Sequence, residues 1–390
     1  MLLSYARSRG VLAGLLLSVG LGSAMAVGES TKPDHLLPYR AFVAAQQRGD
    51  VGAALKHAEA AWNAAEQTLG DHATTAVLAY NFARLATVYS ETQAQALAAF
   101  ERTLQLSQQP IEGIDRHQAQ IGRDELIVRL GDSDSTVADR LAQELINLGE
   151  SASPATDLSA QAWATLAENQ LQRENRELAR EYALQAVAHA EALQPANKRV
   201  LVQGLTTAAI ADIQAPMRGD SDERLGEAAL RLERAIDLFP AQTSLDDFDP
   251  RLARALLWRQ AAATVSRSRD RIAKRERRPK QTPLPAFPTW SKVLPRERSD
   301  TDGCRPLGDY LESKPLRYPR QARRLGKIGS VLFGFEVEGT RITRSVILAE
   351  QQGAGFADAT EQMLAEWTLR EPYPEQCAQR FYLTTASFLF

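Results

Sequence analysis

Between residues 38 and 277 the apolar positions recur at helical spacing and alanine is abundant, which predicts helices almost throughout. The pattern also repeats. In RGDVGAALKHAEAAW (48–62), Gly49-Asp50 opens a turn and the small residues Ala54 and Ala61 follow seven apart. Small side chains at that spacing let two helices approach closely along one seam. The pattern returns in TQAQALAAFERTLQL (92–106) with Ala96, Phe100 and Thr103, and Ala96 stands 42 residues after Ala54. A third copy (162–186) carries Trp163, Leu166, Ala167, Ala179 and Ala186, and a fourth (226–240) carries Ala228, Ala235 and a terminating Pro240. Segments 111–150 and 241–277 follow the pattern poorly. Stacked helix pairs form a solenoid with a surface for peptides or proteins, and a plain helical bundle is the competing expectation.

The period changes after residue 300. In SVLFGFEV (330–337), Val331, Phe333, Phe335 and Val337 share one face, which predicts a strand buried on one side. Glu338-Gly339 predicts a tight turn, and RITRSVILAE (341–350) the returning strand with Ile342, Val346 and Leu348 inward. FADATEQMLAEW (356–367) places Phe356, Thr360, Met363, Leu364 and Trp367 on one helical face, and Pro372 and Pro374 stop any continuation. RFYLTTASFLF (380–390) is rich in aromatic and β-branched residues and predicts a third strand. Between the two regions lies a proline-rich linker over 278–300, with five prolines in PKQTPLPAFPTWSKVLP, a semi-rigid spacer reaching at most roughly 50 Å. The expected fold class is therefore α+β in two domains. An all-α repeat domain (38–277) precedes a small α/β domain (301–390) with a three-stranded antiparallel sheet and two helices.

The first residues read as a targeting segment. Arg7 and Arg9 precede an apolar stretch (11–22), and Ala24-Met25-Ala26 supplies a small-residue cleavage site, so 1–26 is expected to be a signal peptide. Twelve apolar residues rise about 18 Å as a helix, short of a hydrocarbon core of roughly 30 Å. Retention as a short anchor is the alternative, and membrane contact is expected only then. Export gives meaning to the two cysteines, Cys304 and Cys377, which are 73 residues apart. In an oxidising compartment they are expected to form a disulfide contributing about 4 kcal/mol in the chain-entropy model, and two buried thiols are the alternative.

Composition and motifs remove several functions. A net charge of −2 does not suit an electrostatic nucleic-acid binder. The basic run at 267–280 reads as a solvated helix end. The five histidines (His35, His57, His72, His117 and His189) lack metal-ligand spacing. There is no nucleophile elbow, no phosphate loop and no dinucleotide fingerprint, and GKIGS (326–330) precedes a strand where a phosphate site needs a helix. The Arg-Gly-Asp tripeptides at 48–50 and 218–220 read as turns opening helices. No catalytic, cofactor-binding or metal-ligating residue is expected, and no small-molecule substrate.

Two resemblances follow from these residues. The seam alanines, the aromatic opening a first helix and the proline after a second resemble the tetratricopeptide repeat over most of 40–240. The first two copies resemble the 42-residue variety of kinesin light chains. Over about 301–390 the chain resembles the C-terminal domain of TonB. The marks are Tyr318-Pro319 before a short helix, Ala322, Gly326 and Gly329 before a strand, Phe333 and Phe335, the hairpin Gly339, then Phe356, Trp367, Pro372 and the last strand. Many members of that wider family also carry a cysteine pair flanking the fold, as Cys304 and Cys377 do here.

The TonB resemblance implies binding by strand pairing, because an edge strand offers unpaired N–H and C=O groups to a partner chain. The candidate edge is Phe381, Tyr382, Leu383, Thr384, Thr385, Ala386, Ser387 and Phe388. The implied partners are periplasmic or outer-membrane proteins, a TonB-dependent transporter among them. A standard energy transducer has a retained membrane helix and a long Pro/Lys-rich span, and here the proline stretch is short. The expectation is a periplasmic, non-enzymatic adaptor. The alternatives are an anchored energy transducer and an envelope-assembly scaffold.

Overall fold

The computed structural model describes residues 34–131, 135–150, 154–215, 221–275, 305, 307–312, 316–325, 329–351, 355–377 and 379–388. The expected signal segment, the proline-rich linker, Cys304 and Gly326 lie outside the described residues. The protein is mostly helical, with an antiparallel sheet near the C-terminus. It divides into two compact units: residues up to Asn169 with Ala188–Asn197, and Gln170–Val187 with Lys198–Phe390.

The first unit begins with α1 (Leu36–Arg48), α2 (Val51–Thr68), α3 (Ala73–Ala86), α4 (Gln93–Leu106), α5 (Arg116–Arg129) and α6 (Ser135–Glu150), followed by α7 (Asp157–Gln172). Neighbouring helices from α1 to α6 pack pairwise. The turn at 48–50 arises from local chemistry. Gly49 takes φ +70° to end α1, and Asp50 caps α2 by accepting a hydrogen bond from the Ala53 N–H. The first Arg-Gly-Asp tripeptide is thus a helix stop and start. Ala54, Ala61, Ala96, Phe100 and Thr103 are all buried, so the seam read from the sequence is an inner face. Phe100 lies against Gly122 of α5, where a Cβ would sit 2.4 Å from the ring.

Charged groups also link these helices. Arg102 of α4 donates to Glu66 of α2 at 2.8 Å and to Asp71 at 2.7 Å. The Arg102 hydrogen bond holds the Glu66 carboxyl below its ordinary range. Deeper in, Asp124 of α5 is fully buried between Arg123 and Arg140, at 2.6 and 2.8 Å. Two guanidinium partners offset the desolvation such a carboxylate incurs.

The second unit contains the first turns of α8 (Arg176–Ala192), then α9 (Lys198–Gln214), α10 (Ser221–Asp237) and α11 (Pro250–Arg275). Ala179, Ala186, Ala228 and Ala235 are completely buried. Gly204 lets α9 approach α8, since a Cβ there would lie 2.9 Å from the Ala183 carbonyl oxygen. Asp212 of α9 pairs with Arg180 at 3.0 Å and Arg231 at 2.5 Å. Stretches where the repeat pattern is weak, 111–150 and 241–277, still carry helices α5, α6 and α11.

The sheet comprises β1 (Leu311–Glu312), β2 (Gly329–Glu338), β3 (Arg341–Glu350), β4 (Thr368–Leu369) and β5 (Tyr382–Phe388), in the order β1-β4-β3-β2-β5. Two helices accompany it, α12 (Arg320–Arg324) and α13 (Phe356–Ala365). The expectation of three strands is thereby corrected to five. The three long strands stand where the alternating pattern put them, and the additional β1 and β4 are too short for any period to reveal. The hairpin turn is Gly339-Thr340, with Gly339 at φ +60°, one residue later than Glu338-Gly339.

Two further expectations change. The register of β2 against β3 shifts between Leu332 and Phe333 and again between Glu336 and Val337. Each bulge sets two β3 residues against one of β2 and reverses which residues face inward. Consequently Ile342 and Ile347, opposite Val337 and Phe333, face the aromatic core, while Val346 sits opposite Gly334 on the other face. Strand β2 is also buried on both faces from Gly329 to Phe335, where a single buried side was expected. On the second face Leu245, from the loop between α10 and α11, packs at Gly334, and α11 itself contacts β2 and β3. Arg344 of β3 pairs with Asp246 beside it, Nη1 to Oδ2 at 3.1 Å, which holds the Asp246 carboxyl below its ordinary range.

Candidate interaction surface: the open edge of the sheet

Strand β5 ends the strand order, so one of its sides pairs with β2 and the other faces no strand among the described residues. The register decides which backbone groups point each way. In an antiparallel strand the N–H and C=O of one residue point to the same side, and those of the next point to the other. Ser330 of β2 accepts from the Gln351 N–H, so Ser330 directs its groups toward β3. Gly329, Val331, Phe333 and Phe335 therefore direct theirs toward β5, onto Phe388, Ala386, Thr384 and Tyr382. That leaves the N–H and C=O groups of Leu383, Thr385 and Ser387 pointing outward. The 3.3 Å contact between the Ser330 and Ser387 hydroxyls fits a non-hydrogen-bonded pair, in which side chains come closest.

Five of the eight candidate edge residues are buried. Tyr382, Ala386 and Phe388 belong to the aromatic cluster under α13, and Leu383 packs near Gly334 on the opposite face. Phe381 is buried just before the strand begins. Thr384, Thr385 and Ser387 are partly exposed. Any partner at this edge meets backbone first.

The motif residues converge around the same strand. The Tyr318 ring stands edge-on to Phe356 at 6.1 Å and to Phe388 at 5.8 Å. Pro319 precedes α12 as its N-cap, and Ala322 is fully buried. Gly329 is required by close approach, since a Cβ there would lie 2.3 Å from the Phe356 ring. Trp367 stands edge-on to Phe333 and Phe335, each at 5.9 Å. Gly339 turns the hairpin, and Pro372 is exposed beyond β4. Tyr318, Ala322, Phe356 and Trp367 thus pack against β2 and β5, and Gly339 and Pro372 lie outside that packing.

Cys377 is disulfide-bonded and belongs to the same cluster. The segment before β1 lies beside it: Arg305 pairs with Glu371 at 2.5 Å and stacks on Tyr310 at 4.7 Å, and Tyr310 packs edge-on to Tyr373 at 5.0 Å. This strap was not read from the sequence. Its signal, Tyr310 and Leu311 ahead of the basic stretch, is too short to form a pattern.

No family model matches the chain, and no curated protein matches it.

Other candidate chemistry was sought among the described residues. No group of three or more His, Cys, Asp or Glu is placed to hold a metal ion there, and no helix is long and apolar enough to cross a membrane. His72 caps α3 by accepting from the Thr74 N–H. A Ser–His contact occurs in the first unit, Ser159 Oγ to His189 Nδ1 at 3.1 Å. The same hydroxyl donates to the Thr156 carbonyl and accepts from the Thr156 N–H, so it closes the turn that starts α7. Burial pushes the His189 imidazole below its ordinary 6.5, because the charged ring loses hydration there. A depressed histidine supplies stability above the unfolded-state value and loses it as pH falls through the folded one. The midpoint of thermal unfolding should therefore drop as pH falls below 6.5, and His189→Gln should flatten that part of the curve. Scanning calorimetry across pH checks this.

Proposed function

We propose that the protein is a non-enzymatic adaptor of the TonB type, exported to the periplasm, whose C-terminal sheet binds an extended segment of a partner by strand addition at β5. The observation that carries this reading is the position of β5 at the end of the sheet, with Leu383, Thr385 and Ser387 turning their backbone groups away from β2. An edge of this kind gives affinity through main-chain hydrogen bonds, and the neighbouring surface gives selectivity. The succession of short helix, hairpin, helix and terminal strand supports the TonB resemblance, as does the packing of Tyr318, Gly329, Phe356 and Phe388 against one another. The helical part is read as tetratricopeptide-like repeats that bind a second protein. Supporting that are the buried seam alanines and the Arg102–Glu66 link between corresponding helices of two successive copies. The partners inferred are periplasmic or outer-membrane proteins, a TonB-dependent transporter among them.

Strand addition needs no force, and the docking of the sheet on Leu245 and α11 favours an adaptor over a freely swinging transducer. In cells, a photo-reactive residue at Ser387 should yield adducts mapping to an extended segment of an envelope protein. Adducts confined to the chain itself would instead favour the assembly scaffold. N-terminal sequencing of the same material separates adaptor from transducer: a chain starting at Val27 supports the adaptor, and one that keeps residues 11–22 supports the transducer.

A further inference from the structure

Around α12 the chain places Arg317, Arg320, Arg323 and Arg324, and all four are exposed. No guanidinium of the four has an ion pair or hydrogen bond to a described residue. The chain's net charge is −2, and elsewhere in the second unit Arg341, Arg370 and Arg380 are likewise exposed with no side-chain partner among the described residues, while others are matched. Arg224 meets Glu177 at 2.7 Å, Arg251 meets Asp249 at 2.6 Å, and Arg305 meets Glu371 at 2.5 Å. Glu350, just before α13, is committed to the start of that helix, accepting from Phe356 N at 3.2 Å and Ala357 N at 3.3 Å.

The location of this cluster is fixed by packing. Ala322, between the arginines, is fully buried in the sheet's core, and Tyr318 packs against Phe388 at 5.8 Å. Gly329, at the start of β2, pairs with Phe388 at the end of β5. The arginines therefore stand at the Phe388 end of the open edge, where a strand running along β5 terminates.

We propose that the segment added to β5 carries carboxylates at the end that reaches Phe388, so the partner chemistry is an acidic-ended extended peptide. This rests on the strand-addition reading above. Guanidinium groups bind carboxylates bidentately, and a same-sign cluster beside a docking edge steers association and fixes which end of the partner lies where. A membrane surface is a poorer fit. With five residues, α12 offers little apolar area, and Leu325 is the large apolar side chain exposed beside it.

The test uses the full chain and synthetic ten-residue peptides of alternating valine and threonine. Two carry Asp-Glu-Asp, one at each terminus, and two carry Lys-Arg-Lys at the same places. One acidic peptide should bind about tenfold more tightly than its basic twin at low salt, since single exposed pairs are weak and several act together. Replacing Arg317, Arg320, Arg323 and Arg324 together by glutamine should abolish that difference while leaving the unfolding midpoint unchanged. Equal affinity of all four peptides, still weakened by Thr385→Pro, overturns the acidic-end inference and leaves strand addition standing. Failure of every peptide to bind overturns both. If the glutamine variant loses phosphatidylglycerol vesicles but keeps its peptide affinities, the cluster is a membrane contact and the inference fails.

Discussion

Thr384→Pro is expected to destabilise the second unit by about 3 kcal/mol, whereas Thr385→Pro, one residue along, should cost under about 1 kcal/mol. Thr384 lies opposite Phe333 in the pair that exchanges both backbone hydrogen bonds. Proline there removes one of them and orphans the buried Phe333 carbonyl. At Thr385 the N–H points away from β2, so the ladder stays whole, and the residue before it is already extended as proline requires. The two variants should exchange roles in binding. Thr385→Pro keeps the fold and loses a docking donor, so peptides that add to β5 should bind about tenfold more weakly. Urea unfolding and titration of the same peptides read both quantities. Equal destabilisation at the two positions would mean that the outward side is already paired.

The other large effect concerns what holds the sheet. Leu245 is 4% exposed, and a Cβ on Gly334 would lie 2.3 Å from its Cδ2 and 3.2 Å from Cδ2 of Leu383. Leu245→Ala should cost about 2–4 kcal/mol through lost burial and the cavity left behind. Gly334→Ala should cost about 1–3 kcal/mol by overpacking, since the methyl group must displace a packed leucine. The double variant should be less destabilised than the sum, because the new methyl occupies space the leucine vacated, with a coupling of about 1 kcal/mol or more. Strict additivity would show that Leu245 does not pack on β2. This contact bears on function, because a sheet fixed to α11 presents its edge in one orientation.

How much of this was legible in the sequence depends on the range of each signal. The β2–β3 hairpin and β5 were readable because aromatic and β-branched residues alternate over seven to ten positions, and a glycine marks the turn. The helix from Phe356 was readable from its apolar face. Of the β3 residues expected inward, Ile342 faces the core and Val346 does not, because bulges add one residue without altering composition and the alternation along β3 changes phase invisibly. Burial of β2 on its second face was equally hidden. Leu245 lies in a polar loop, and only tertiary packing brings it to Gly334. The same holds for Asp124, a helix carboxylate that packing encloses between two arginines. Candidate edge residues could be named from the TonB resemblance, but which of them turn their backbone outward required the register.

Residue-resolved amide hydrogen exchange on the free chain tests the open edge most directly. The amides of Leu383, Thr385 and Ser387 should exchange about a hundredfold faster than those of Thr384 and Ala386, which bond to β2. Uniform protection along β5 would contradict the account, because it would mean that the edge offered to a partner is already occupied.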